Sequence, residues 1–115
     1  MPLTTIALLI FAVAALGGAF LALRRFTGKT QPMPVVLLHG LLAASGLTCL
    51  LYAYFKESLH GAGATALVIF LVAALGGFFL FFANIRGKVL PIPVVLLHAA
   101  LALTAFAVLA TTLIQ

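Results

Sequence analysis

Apolar residues fill four long stretches of the chain, Leu3 to Leu23, Pro34 to Phe55, Ala62 to Ala83 and Pro93 to Ile114, and polar positions gather in the short segments between them. A helix that crosses the hydrocarbon of a bilayer needs about 20 mainly apolar residues. Each stretch therefore predicts one membrane-spanning helix, and the connections are too short to hold anything but turns. Residues 1–115 read as a single all-α integral membrane domain of four transmembrane helices. Pro32 and Pro34 open the second stretch, and Pro91 and Pro93 open the fourth. These are first-turn positions, where the donor that proline lacks would be unpaired anyway. Gly28-Lys29 and Gly87-Lys88 just before them predict the turns of two tight helical hairpins.

The pattern occurs twice. Pro32-Met33-Pro34-Val35-Val36-Leu37-Leu38-His39 returns as Pro91-Ile92-Pro93-Val94-Val95-Leu96-Leu97-His98, and Val13-Ala14-Ala15-Leu16-Gly17-Gly18 returns as Val72-Ala73-Ala74-Leu75-Gly76-Gly77. The halves align without a gap from Ala7 to Leu50, with more than half of the positions identical. The chain is a duplicated two-helix hairpin, residues 3–56 and 62–115. Each copy crosses the membrane twice and returns to the same side, so the repeat is parallel, with an expected pseudo-two-fold axis along the membrane normal and sites at the repeat interface.

Composition sharpens this picture. The chain is 66% hydrophobic and 6% charged, against roughly a quarter charged in a soluble domain, which excludes a soluble fold. Five of the six basic residues, Arg24, Arg25, Lys29, Arg86 and Lys88, lie in the first and third connections. Short loops rich in lysine and arginine stay cytoplasmic. Loops 24–33 and 84–92 are therefore expected in the cytoplasm and both termini outside, as in a bacterial inner-membrane protein. The middle connection, Lys56 to Gly61, holds the only acid, Glu57, and suits the outer face. The first stretch is not a signal peptide: its basic residues follow it, and its copy at Ala62 to Ala83 is internal. The net charge of +5 is accounted for by this topology and attraction to anionic lipid. A nucleic-acid surface, a nucleotide loop and a soluble-type active site have no support.

Candidate chemistry rests on His39 and His98, since an ionisable ring inside a membrane span marks a functional site by default. At about 1.5 Å of rise per residue, both lie roughly 8 to 9 Å inside their helices. Gly17 and Gly18 on the first span, and Gly76 and Gly77 on the third, fall at the same depth, where bare backbone admits a neighbouring helix or a flat ligand. Residues four and seven beyond each histidine share its face: Ala43 and Gly46 on the second span, Ala102 and Ala105 on the fourth. In a bundle ordered one to four around a ring, the second and fourth helices are diagonal, and cofactor sites form from side chains on facing helices. Two imidazoles across a slot of small residues are the geometry of a six-coordinate haem b. A bare zinc or copper site needs three or four protein ligands, and this layer offers two; a porphyrin supplies the other four. Arg24 and Arg25, with Lys29, Arg86 and Lys88, would stand near its propionates.

This constellation resembles membrane b-type cytochromes in its bis-histidine ligation between helices. The resemblance implies one-electron transfer in the bilayer, with a quinone and a redox protein or larger membrane complex as partners. The sequence leaves other arrangements open. The histidines could be packing residues bonded to a backbone carbonyl or to a hydroxyl such as that of Thr104. The chain could be an accessory or assembly subunit without a cofactor, or a small transporter or channel, although no span contains Asp, Glu, Lys or Arg. Two hairpins could also meet across a homodimer. His60 reads as a solvated loop residue, Cys49 as apolar filler, and Tyr52 and Tyr54 as interfacial anchors.

Overall fold

The computed structural model describes all 115 residues. Helix α1 spans Leu3–Phe26, α2 Met33–Lys56, α3 Gly61–Ile85 and α4 Ile92–Ala110, and a 3-10 turn over Thr111–Ile114 completes the last element. The expected spans are present, each within a few residues of its apolar stretch. All four are long and apolar enough to cross a membrane.

The helix ends follow from local chemistry. Pro2, Pro32 and Pro91 stand in extended conformation just before α1, α2 and α4, and Pro34 and Pro93 lie inside the first turn. Gly28 at φ 73° and Gly87 at φ 70° take the left-handed conformation that stops α1 and α3, a position where glycine alone carries no steric cost. Behind each of them, Lys29 N–H donates to the Arg24 carbonyl at 2.8 Å and Lys88 N–H to the Ala83 carbonyl at 2.9 Å.

The helices form a bundle 42 × 21 × 19 Å across. Packing is closest within each hairpin, α1 on α2 and α3 on α4, and lighter contacts of α1 with α4 and α2 with α3 close the ring. Helices α2 and α4 therefore occupy a diagonal, as the sequence suggested.

The core is not centred. Ala7, Leu8 and Phe11 of α1, Leu50 of α2, Ala66, Leu67 and Phe70 of α3, and Ala105 and Leu109 of α4 form one buried cluster. Its middle is a stack of Phe11 on Phe70, ring centres 3.8 Å apart and planes 8° from parallel. Buried residues of α1 end at Ala14 and those of α3 at Ala73, and α2 has none before Gly46. Toward the basic connections only Leu90 and Val95 are buried. The bundle is thus packed in the half that leads to Glu57 and looser in the half that leads to Arg24, with the histidines just past the boundary.

Candidate functional site

Each histidine is held by its own hairpin. His39 Nδ1–H donates to the Ala14 carbonyl at 2.8 Å, and His98 Nδ1–H donates to the Ala73 carbonyl at 2.7 Å. A carbonyl only accepts, so the proton of each neutral ring sits on Nδ1 and Nε2 carries the free lone pair. The glycine pairs make this docking possible. A Cβ on Gly18 would stand 3.0 Å from His39 Cε1, and one on Gly77 would stand 3.1 Å from His98 Cε1. Gly17 and Gly76 face the histidine Cβ atoms at 3.7 and 3.4 Å. The bare backbone, expected to admit a neighbouring helix or a flat ligand, here admits the histidine of the neighbouring helix in the same hairpin.

Across the bundle the two rings meet, with centres 6.3 Å apart and planes 85° from parallel. No buried side-chain nitrogen or oxygen lacks a hydrogen-bond partner. The Nε2 atoms form no such bond, so neither is fully enclosed by protein. Thr104 plays no part here, as its hydroxyl donates to the Ala100 carbonyl.

The small residues beyond the histidines divide between site and core. Ala43 and Ala102 are half-buried next to the histidine layer. Gly46 instead receives the edge of Phe11, whose ring carbons would lie 2.7 to 3.0 Å from a Cβ there, and Ala105 is wholly buried in the core cluster. The slot expected along four residues of α2 and α4 is therefore closed at its deep end by the Phe11–Phe70 stack.

At the basic end, Arg24 Nε–H donates to the Thr30 carbonyl at 2.5 Å within its own turn. Arg25 Nε–H reaches the other hairpin and donates to the Leu90 carbonyl at 2.6 Å, and the Gln31 amide donates to the Leu21 carbonyl at 3.1 Å. Both arginines are half-buried; the Arg24 guanidinium lies over the Phe20 ring, 5.8 Å from its centre, and the terminal nitrogens of both make no hydrogen bond to another side chain. They stand about 10 Å above the glycines along α1, from six or seven residues of rise.

No protein-family model, curated protein or solved structure matches this chain. Its chemistry has to be read from its own residues.

The backbone-carbonyl partner that the sequence left open for each histidine is present, but two parts of the site escaped the sequence: which carbonyls these are, Ala14 and Ala73, and the cross-hairpin reach of Arg25. The first had a signal, since each alanine lies four residues before a glycine and so one turn below a missing side chain. His60, as expected, lies in the exposed connection, where its Nδ1–H donates to the Ser58 carbonyl at 2.9 Å.

Proposed function

We propose that this protein is a small membrane cytochrome of the b type, a duplicated helical hairpin that ligates one haem between His39 and His98. The observation that carries this is the pair of facing imidazoles, 6.3 Å between centres. Metal–imidazole bonds are about 2.0–2.1 Å, so two rings that bound one metal ion through Nε2 from opposite sides would have centres roughly 6 Å apart. The donor set fits as well, because two nitrogens suffice only for a group that brings four of its own. Haem b, when bound, supplies a one-electron couple whose potential is set by axial ligands, burial and hydrogen bonding.

The chain's own residues do the rest. Ala14 and Ala73 fix the ring orientations and leave both Nε2 lone pairs free, as carbonyl partners do for ligating histidines. The Phe11–Phe70 stack forms an apolar floor beneath the site, and Ala43 and Ala102 keep side-chain bulk away from it. Arg24 and Arg25 offer free guanidinium nitrogens to carboxylates at the basic end. With His39 and His98 both holding the group, the site would suit electron transfer and not the binding of oxygen. We place the basic loops in the cytoplasm and both termini outside, following the positive-inside rule. Electrons would then pass between a quinone in the bilayer and a redox protein or larger membrane complex on the cytoplasmic side.

The test is an absorption spectrum of detergent-purified protein, oxidised and dithionite-reduced. Sharp reduced visible bands that vanish in both His39→Ala and His98→Ala support the assignment. A colourless protein after expression with ample haem supply, or bands that survive both substitutions, overturns it.

A further inference from the structure

The carbonyls that hold the imidazoles stand in the same relation to a glycine in both hairpins: Ala14 lies four residues before Gly18, and Ala73 four before Gly77. In an α-helix each of these carbonyls already accepts the N–H of that glycine. A helical side chain leans toward the N-terminus and covers the turn before its own Cα. Any Cβ at Gly18 or Gly77 would therefore shade the carbonyl from the side on which the imidazole arrives. The measured spacing agrees, since a Cβ at Gly18 would lie 3.0, 3.5 and 3.6 Å from Cε1, Nδ1 and Nε2 of His39. At Gly77 the same three distances are 3.1, 3.6 and 3.8 Å to His98. Only the second glycine of each pair crowds the Nδ1–Cε1–Nε2 edge of the ring.

We propose that Gly18 and Gly77 are positioning residues that select the histidine tautomer. By leaving the Ala14 and Ala73 carbonyls uncovered, they draw the proton of each ring to Nδ1 and aim both unprotonated Nε2 atoms at the space between α2 and α4. This deepens the haem assignment by giving the two ligands a preset protonation state. Its test is made on haem-free protein, because iron bound at Nε2 would by itself hold the proton on Nδ1. A helix-packing glycine would only let helices approach; a tautomer-setting glycine determines which nitrogen carries hydrogen.

The experiment is nitrogen-15 NMR of protein labelled at histidine in detergent micelles, expressed under haem depletion so that no iron occupies Nε2. In the unsubstituted protein, His39 and His98 are expected to show protonated Nδ1 and unprotonated Nε2. Protonated Nε2 on either ring overturns the proposal. In Gly18→Ala, His39 is expected to lose its Nδ1–H signal while His98 keeps its own, and Gly77→Ala should show the reverse. Gly40→Ala, beside His39 but with nothing within 4 Å of its Cβ position, should leave both signals in place. If Gly18→Ala and Gly77→Ala both fold and leave both histidines as they were, the glycines do not set the tautomer. If one of the two fails to fold, the other decides, and an unchanged Nδ1–H on the histidine it seats overturns the proposal. A protein that stays colourless after expression with ample haem supply, yet shows Nδ1–H on both rings, removes the cytochrome assignment and keeps this one.

Discussion

His39 and His98, from opposite hairpins, present their rings to each other nearly at right angles, 85° between planes. Each ring is locked in that plane by a carbonyl of its own hairpin, Ala14 for one and Ala73 for the other. Axial imidazoles that lie parallel split the two iron d orbitals of π symmetry, whereas perpendicular ones act on them almost equally. If the two histidines ligate haem as proposed and keep this angle, the oxidised protein is expected to give a highly anisotropic low-spin electron paramagnetic resonance signal. A rhombic signal of the ordinary kind would mean that the rings turn toward parallel on ligation and that the carbonyl locks do not hold.

Beneath the histidines, the Phe11–Phe70 stack ties α1 to α3 and fills the space at Gly46. Phe11→Ala removes that ring from a packed core; in lipid the transfer from water drops out and the lost contacts and cavity remain, about 2 kcal/mol. Gly46→Val adds bulk where ring carbons of Phe11 already lie 2.7 to 3.0 Å from a Cβ position, which costs about 1–3 kcal/mol. Unfolding by sodium dodecyl sulfate, followed by circular dichroism, should show both losses. Equal stability of Phe11→Ala and the unsubstituted chain would contradict the core described here.

Arg25 is the residue whose side chain links the two basic connections, through the Leu90 carbonyl. Hydrogen bonds from charged groups contribute about 1.5–3 kcal/mol when well enclosed, and half-burial reduces this to about 1 kcal/mol. Arg25→Ala should lower the thermal midpoint in detergent by more than Lys29→Ala does. The two substitutions remove the same charge from the same loop, so equal shifts would show that charge and not the link matters.

Orientation is open to direct measurement. In a Cys49→Ser background, Thr30→Cys in the first basic connection and Glu57→Cys in the middle one should react with membrane-impermeant thiol reagents from opposite sides. The expected result in intact cells is labelling at position 57 and protection at position 30. Labelling at position 30 alone would reverse the assigned topology.

Much of this architecture is legible along the chain because its causes are local. Four apolar stretches of spanning length, prolines at helix starts and left-handed glycines at Gly28 and Gly87 act on neighbouring residues only, and the helix limits follow from them. Rise per residue likewise places His39, His98 and the two glycine pairs in one layer without reference to any contact. Rotation of each helix about its axis was not legible. A helix that is apolar all round carries no polar stripe to say which side faces inward, and in lipid the choice falls to shape complementarity between helices. The tertiary structure alone decided that Gly46 and Ala105 belong to the core while Ala43 and Ala102 border the histidines. It also decided that Gly18 and Gly77 seat the imidazoles, that the Ala14 and Ala73 carbonyls hold them, and that the packed core stops just below. Each of these depends on atoms brought together from helices far apart in the sequence.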